Sequence, residues 1–492
     1  MSSIAAEPAE SEATSPTTEL ARALSLRDAI ALVLSVIGTG VFLKTAPMAQ
    51  LVGSPKMVIL AWVAAGLLSL AGALTYAELG AMLPEAGGDY VFLREAYGNL
   101  PGFLFGWSTL VLIASGGVAA IATAFASFLG SFVPLDAVWG THDFHVLGQV
   151  VHWRFGIQQV VAVSVILLFS AINARGVADG ARVQWAATVA KLAGIAIIVV
   201  CALLLSRTGS WQHMREPVTA RIASGGASAF GAAMLAALWA YNGWSNVAMV
   251  AGEIDKPERN LPRALIYGMF LVIVVYLTTN ISYFYVLPFS EVLTSNSTAY
   301  RDALPVAAKA AQTVFSYGPQ LVSLAFLVAV AGALNGIILM NARVPFAMAR
   351  DHLFFSSLGR LNRARVPAIA IWVQAIWACV LALSGTFDQI TTSVIFALWI
   401  FYVLVGSSLF VLRRKLPAAP RRYRTPGYPV VPILFVGVAV WLVINSIKAY
   451  PVESAAGLLL IALGLPFYLY FQRGAAAHHH AADHTNEPGL LG

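Results

Sequence analysis

Long runs of apolar residues recur along the whole chain. A membrane-spanning helix needs about 20 mostly apolar residues, because the hydrocarbon core of a bilayer is about 30 Å thick and an α-helix rises about 1.5 Å per residue. On this criterion the chain is predicted to be an all-α polytopic membrane protein with about twelve transmembrane helices. The predicted spans are Asp28–Val52, Met57–Met82, Gly102–Phe132, Phe155–Ile172, Arg182–Ser206, Ser228–Ala251, Arg263–Leu287, Pro319–Arg343, Pro367–Ser384, Ile390–Leu412, Val430–Ala449 and Ala455–Phe471.

Two of these spans are interrupted near their middle by glycine and polar residues. The first span contains Gly38, Thr39 and Gly40, and the sixth contains Asn242 and Gly243. Such residues weaken a helix or are costly at this depth, and lipid tolerates unpaired backbone groups only where protein or a water-filled cavity satisfies them. The pattern therefore predicts discontinuous first and sixth helices whose breaks face a polar ligand near the bilayer midplane. A straight sixth helix that packs closely through Gly243 is the alternative.

The two interruptions lie five spans apart, which predicts an internal repeat. Five is an odd number of crossings, so a second repeat enters the membrane from the side opposite to the first. Spans one to five and six to ten can then form a 5+5 inverted repeat in which the two breaks meet. We therefore predict a ten-helix transport core over residues 28–412, a basic cytoplasmic loop over 413–429 and two additional helices over 430–471.

The composition agrees with a membrane protein, and the charge distribution adds an orientation. Of the 492 residues, 59% are hydrophobic and 11% are charged, and no separate soluble domain stands out. Roughly two-thirds of the Lys and Arg residues fall on the side of the N-terminus, so the positive-inside rule places both termini in the cytoplasm. Residues 1–27 lack the features of a signal peptide and are expected to form a disordered tail. Residues 472–492 are expected to form a second tail, whose histidines are better explained by solvation than by a metal site.

Motifs that would indicate other classes of protein are absent from the sequence. It has no P-loop, no zinc-protease motif and no nucleophile elbow, so neither an ATP-driven pump nor an enzyme is predicted. No metal, cofactor or nucleic-acid partner is expected. An intramembrane enzyme would need a nucleophile, base or metal cluster at depth, and a channel would need rings of like-charged residues. Cys201 and Cys379 both fall within apolar runs, so no disulfide framework is predicted.

Lys191 is a charged residue in an apolar environment. It lies about nine residues inside the fifth span, or roughly 13 Å, which is too deep for its side chain to reach water. A charge at that depth costs about 2.5–3.5 kcal/mol, so the sequence predicts an interior partner. Loss of the proton would permit proton coupling, and an ion-paired structural lysine is the alternative.

Four segments of the sequence are similar to the motifs of a known protein family and occur in the same order. They are Gly38–Phe42 in the first span, Tyr76–Gly80 with Pro84–Tyr90 after the second, Trp239–Trp244 with Glu253 and Pro257–Ala264 around the sixth, and Leu334–Gly336 with Ala342–Arg343 in the eighth. Together these segments resemble the L-type amino-acid transporters of the amino acid–polyamine–organocation superfamily, in a bacterial-type member. The resemblance implies the fold of the sodium-coupled leucine transporter, with two extra C-terminal helices.

The resemblance also implies where the substrate binds. The implied binding residues are Gly38, Thr39, Gly40, Trp239, Ala240, Tyr241 and Asn242. The substrate carboxylate would lie on the backbone of the first break and the ammonium on carbonyl groups of the second. Physical chemistry agrees, because free N–H groups attract an anion and unpaired carbonyl groups attract a cation.

Gating or coupling roles are implied for Lys191, Trp239 and Asn335. Trp239 resembles the aromatic gate that closes the pocket from outside, although an ordinary buried aromatic is the alternative. Lys191 matches a lysine that occupies the position where sodium-driven relatives bind Na⁺. We therefore expect a sodium-independent exchanger of neutral L-amino acids that works by alternating access, or alternatively a proton-coupled symporter that uses Lys191.

Two departures from the family pattern narrow the expected partners and substrates. The segment from Pro134 to Arg154 has no cysteine, so no disulfide-linked heavy chain is expected. Position 242 is Asn, whereas cation-accepting members have an acid there, so neutral substrates are favoured over cationic ones. The expected location is a bacterial inner membrane.

Five charged residues cluster at the predicted cytoplasmic ends of the helices. They are Glu78, Glu253, Arg259, Arg263 and Arg343. Ion pairs among them would close an inner gate, whereas helix capping and topology signals explain them equally well.

Overall fold

A computed structural model describes residues 19–146, 149–215, 226–297, 299–300, 303–384, 387–449 and 451–473. Most of both tails predicted from the sequence, namely residues 1–18 and 474–492, lies outside the described residues. The gaps between the described ranges are at 147–148, 216–225, 298, 301–302, 385–386 and 450.

Ten helices in the described part of the chain are long and apolar enough to cross a membrane. They are Leu26–Leu43, Pro55–Met82, Asn99–Leu129, Ile157–Arg175, Val177–Leu205, Pro257–Val286, Gly318–Arg350, Phe396–Lys415, Val430–Lys448 and Pro451–Arg473. A further apolar helix, Ala368–Leu383, is shorter. The remaining predicted span is a broken helix made of Gly226–Ala240 and Trp244–Glu253. The prediction of an all-α polytopic membrane protein is confirmed.

Several of these spans are divided into pieces, and short helices join them. The first span comprises Leu26–Val33, a 3₁₀ turn at Leu34–Val36, Gly40–Leu43 and the following helix Thr45–Val52. The third comprises Asn99–Ser108, a π-helical turn at Thr109–Ile113 and Ala114–Leu129. The other elements are Asp89–Tyr97, Trp211–Arg215, Phe289–Leu293, Val306–Gln312, Gly318–Asn341, Arg343–Arg350, Ser356–Gly359, Phe387–Lys415, Val430–Ala449 and Pro451–Ala462.

A small antiparallel sheet between the third and fourth spans was not predicted. Strand β1 (Val138–Val146) pairs with strand β2 (Gln149–Gly156), and the register shifts near Gly140. The Trp153 indole N–H donates to the carbonyl of Leu383 at 2.8 Å. The hairpin is thereby attached to the end of the helix Ala368–Leu383.

The two broken helices run side by side through the middle of the molecule. The amide of Leu24 donates to the carbonyl of Glu253, and the amide of Asp255 donates to the carbonyl of Leu24. The start of the first span therefore lies beside the end of the sixth. The helix Pro257–Val286 packs against both Pro55–Met82 and the first span. It contains Tyr276, whose hydroxyl lies within hydrogen-bond distance of both breaks.

Candidate substrate site

The first break begins where the helix Leu26–Val33 tightens into a 3₁₀ turn. Ser25 and Asp28 form a capping box that starts this helix, and Ile37 is extended at its end, with φ −70° and ψ 90°. The chain becomes helical again only at Gly40. In the described part of the chain, no backbone acceptor bonds to the amides of Gly38, Thr39 or Gly40. Three N–H groups are therefore free at the centre of the molecule.

The second break follows Ala240. Gly243 adopts φ 107°, a left-handed conformation that glycine takes without the steric cost of a side chain. The chain then continues as the 3₁₀ helix Trp244–Glu253. The prediction of a discontinuous sixth helix is confirmed, and the alternative of a straight helix through Gly243 is wrong.

The two breaks touch each other. A methyl group built on Gly40 would lie 2.3 Å from the Ala240 Cβ, so only glycine permits this approach. The Tyr276 hydroxyl lies 2.8 Å from the carbonyl oxygen of Ala240 and 3.1 Å from that of Val36. Tyr276 therefore joins both breaks through their backbone, a role that the sequence did not indicate.

A cavity of about 170 Å³ lies at this junction. Cavities of about 150 Å³ accept molecules the size of benzene, so the volume suits a small amino acid. Six of the seven binding residues implied by the resemblance line the cavity, namely Gly38, Thr39, Gly40, Trp239, Ala240 and Asn242. The sequence stretches that suggested a site thus lie together in three dimensions.

Tyr241 is the exception among the seven residues. It lines a smaller cavity behind the break, and its hydroxyl donates to the Trp62 carbonyl at 3.3 Å. Its ring also packs against Trp62 and Tyr276, with ring centroids 5.8 and 4.9 Å away. The side chain therefore anchors the break rather than lining the cavity.

The remaining wall of the cavity is largely apolar. The π-helical turn Thr109–Ile113 widens the third span on this side and contributes Thr109 and Ile113, while Val394 and Leu398 come from the helix Phe387–Lys415. Such turns are frequent at functional sites because they reorient side chains without ending the helix. Among the described residues that line the cavity, only Asp89 has an ionisable side chain.

Lys191 lies close to the first break but does not line the cavity. Its side chain is fully buried, and Nζ donates to the carbonyl oxygens of Leu34 at 2.7 Å and Ile37 at 3.0 Å. The Ile37 carbonyl has no backbone donor among the described residues, and the Leu34 carbonyl also accepts from the Ile37 amide at 3.0 Å. The interior partner predicted from the sequence is therefore backbone, not a carboxylate.

Asn335 also lies outside the cavity lining. Its amide nitrogen donates to the Gly180 carbonyl at 3.0 Å and to the Gln184 side chain at 3.1 Å. Gln184 in turn donates to the Ala31 carbonyl at 3.2 Å. Asn335 thus links the eighth span to the first through the fifth.

Trp239 lines the cavity and is covered on its other side by a cation. The Lys44 ammonium lies 4.2 Å from the centroid of the Trp239 ring. Cation–π contacts of this kind are worth about 0.5–2 kcal/mol, so Lys44 favours the observed position of the ring. The sequence pattern did not indicate this role of Lys44.

Buried ion pairs involve three residues of the predicted charged cluster. Arg343 donates to both carboxylate oxygens of Glu253, at 2.8 and 2.9 Å, and both side chains are fully buried. Glu78 pairs with Arg413 rather than with another member of the predicted cluster. Arg259 and Arg263 make no ion pair within the described ranges.

A profile of the amino acid permease family matches residues 24–465, which is most of the chain. The chain belongs to the amino acid permease family. The permease is 32% identical to the serine/threonine exchanger SteT of Bacillus subtilis (strain 168), over 93% of this chain and 98% of that protein. It is 30% identical to the human b(0,+)-type amino acid transporter 1, over 92% and 89% of the two chains. It is 27% identical to the human cystine/glutamate transporter, over 92% and 86%.

These relatives confirm two predictions made from the sequence. The resemblance to L-type amino-acid transporters is confirmed, and so is the prediction of a transporter rather than an enzyme. The permease therefore moves amino acids across a membrane, and the junction of its two broken helices is the candidate substrate site.

Proposed function

We propose that this permease exchanges neutral L-amino acids across the membrane by alternating access, without Na⁺. The observation that carries the proposal is the cavity between the two breaks, with the free amides of Gly38, Thr39 and Gly40 on one side and the end of the helix Gly226–Ala240 on the other. The amides would bind the carboxylate, and the carbonyl groups of Trp239, Ala240 and Asn242 would bind the ammonium. A zwitterion needs both kinds of partner.

Exchange and neutral specificity have separate support. SteT is named as an exchanger of serine and threonine, both of which are neutral. The cavity wall is mostly apolar, and neither break supplies a carboxylate to balance a cationic side chain. The one lining acid, Asp89, is 1% exposed, so it offers no open partner to a cationic substrate.

The position of Lys191 supports sodium independence. A Na⁺ ion would need oxygen ligands, and the carbonyls of Leu34 and Ile37 are of that kind, but here they accept hydrogen bonds from Nζ. A second cation beside the ammonium would be repelled. Trp239 would act as the outer gate, while Asn335 and Lys191 would couple movements of the first, fifth and eighth helices.

The remaining expectations are part of the same proposal. The transport core comprises residues 28–412, followed by a basic loop and two further helices up to residue 471. The protein lies in a bacterial inner membrane with both termini in the cytoplasm, as the positive-inside rule suggests. It works without a disulfide-linked heavy chain, and Cys201 and Cys379 are free thiols.

Proton-coupled symport is the second candidate function. It is favoured by one observation, that Lys191 is buried without a carboxylate partner in the described ranges. A lysine held only by neutral carbonyls loses its proton more readily than one held by an acid.

The experiment uses purified full-length protein in liposomes loaded with one amino acid. Uptake of each of the twenty amino acids is measured with Na⁺ or choline outside, and with or without a pH gradient. The proposal predicts uptake only into loaded liposomes, equal in Na⁺ and choline. Uptake into empty liposomes driven by an inward proton gradient would support the symporter, and uptake that requires Na⁺ would contradict both.

A further inference from the structure

Asp89 is a buried acid that lies outside the membrane-spanning helices, in the connection between the second and third spans. It is the first residue of the short helix Asp89–Tyr97, and it lines the cavity. The residue is 1% exposed. An ionised carboxylate in such a place normally has a cation or several hydrogen-bond donors.

Asp89 has few of these partners. The Tyr76 hydroxyl donates to Oδ2 at 3.0 Å, and Oδ1 is buried without a hydrogen-bond partner among the described residues. Oδ1 is also closed to a molecule the size of water.

The charged groups on neighbouring elements are bonded to other partners. On the same short helix, Arg94 bonds to Asp351, Glu85 and Glu95, and the Tyr90 hydroxyl donates to Asp351. Glu78 on the second span and Glu253 on the sixth are paired with arginines. Tyr402 on the tenth bonds to Asn242 and Ser245. Within the described ranges, no cation forms an ion pair with Asp89.

The surroundings of Asp89 are attached to a part of the protein that must move in alternating access. The amide of Gly87 donates to the carbonyl of Met249 at 2.9 Å, and a Cβ on Gly88 would lie 2.8 Å from the Met249 nitrogen. Met249 belongs to the second half of the broken sixth helix. Any displacement of that half-helix changes the enclosure of Asp89.

We propose that Asp89 is a proton-binding site, whose carboxyl is protonated while enclosed as seen here and ionises when the adjoining half of the sixth helix moves and admits water. The proton comes from water and returns to it. The proposal rests on the proposed function, since it assumes that the enclosed state recurs in each exchange cycle.

The pH range follows from the surroundings of the carboxyl. Burial raises the pKa of Asp89 to about 7, and the hydrogen bond from Tyr76 acts in the opposite direction. A hydrated Asp has a pKa of about 3.9. Because the pKa is higher in the enclosed state, protonation stabilises that state fully at low pH, and this stabilisation is lost as the pH rises to about 7.

The test is exchange of a neutral amino acid in liposomes with equal pH inside and outside, from pH 5 to 9. Wild type should slow by about tenfold or more between pH 5 and 7, since one pKa unit corresponds to about tenfold, and then level off. Asp89→Asn resembles the neutral carboxyl and should lose this dependence. Tyr76→Phe removes the hydrogen bond that favours the ionised form, so the midpoint should move to higher pH. Asp179→Asn, at an exposed surface pair with Arg182, should behave as wild type.

A second measurement covers variants that do not transport. The infrared C=O stretch of a protonated carboxyl should be present in wild type at pH 6, weaken by pH 8 and be missing from Asp89→Asn. A wild-type pH profile in Asp89→Asn, or an identical infrared band in the two proteins, would overturn the proposal. Absence of exchange at every pH would instead count against the proposed function, and the infrared result would still decide the role of Asp89.

Discussion

Lys191 provides a charged donor for two carbonyl groups at the first break. In a helix the carbonyl of residue i accepts from residue i+4, so the break at Ile37–Thr39 leaves the Ile37 oxygen without a backbone donor, while the Leu34 oxygen keeps only the 3₁₀ bond from the Ile37 amide. Nζ lies 2.7 and 3.0 Å from these oxygens. The lysine thus stabilises the broken conformation directly, in addition to the role proposed for it in excluding Na⁺.

Lys191→Met tests whether the lysine stabilises the broken conformation of the first helix. The Ile37 carbonyl would lose its donor, and the Leu34 carbonyl would keep only the bond from the Ile37 amide. A buried group left unsatisfied costs about 1–3 kcal/mol. We expect the exchange rate to fall at least about tenfold and the melting temperature of the purified protein to fall. Lys56→Met is the matched control, because Lys56 is exposed at the start of the second span. Wild-type exchange by Lys191→Met would contradict this account.

Residues at the breaks also show which features could not be predicted from the sequence. Lys191 was recognised because a lysine is conspicuous in an apolar span, and the family resemblance supplied its expected role. Tyr241 was grouped with its neighbours, yet its side chain turns away to Trp62. The backbone at a break has no helical period, so the side on which a residue lies cannot be projected from the sequence.

At the scale of elements, the site depends on the contact between two interrupted helices. Gly40 meets Ala240 with no room for a methyl group, and Tyr276 bonds to the backbone of both breaks. The free amides of the first break and the carbonyl groups of the second stay at fixed positions only while this contact holds.

Gly40→Ala tests the contact. The added methyl group would lie 2.3 Å from the Ala240 Cβ, so the helices must separate. We expect exchange to fall by at least about tenfold and stability to fall by about 1–3 kcal/mol, as is typical of overpacking. The control is Gly437→Ala, where no atom of the described residues lies within 4 Å of the new methyl group and exchange should be unchanged. Equal behaviour of the two variants in the liposome assay would show that close approach is not required.

Helices were predicted more completely than their connections. Twelve spans were recognisable because length and hydropathy are imposed by the bilayer. The hairpin of β1 and β2 was missed, since a short strand outside the membrane produces no long apolar run. Asp89 belongs to one of the recognised motifs, but no role was predicted for it. Only the fold brings the connection after the second span to the cavity.

At the scale of the whole molecule, buried charges hold one end together. Glu253 follows the second break and Arg343 lies in the eighth span, and their side chains are fully buried. Removal of one partner from such a pair leaves an uncompensated buried charge. The pair therefore links the sixth and eighth spans, both of which adjoin the cavity.

A double-mutant cycle measures this link. Glu253→Gln and Arg343→Met should each destabilise the purified protein by about 3–5 kcal/mol, and the double variant should lose clearly less than the sum. The control cycle uses Asp179 and Arg182, whose side chains are 47% and 78% exposed, and should show coupling of less than about 1 kcal/mol. Additive losses for the buried pair, measured by denaturant unfolding, would mean that the two residues act independently.

The central claim is that backbone groups of two broken helices bind both ends of a zwitterion. The most direct measurement is competition for exchange of a neutral amino acid by two of its analogues, an amine without the carboxylate and a hydroxy acid without the ammonium. The account predicts that each analogue competes at least about tenfold more weakly than the amino acid, since either loss leaves buried polar groups of the site unpaired. Equal competition by either analogue would contradict it.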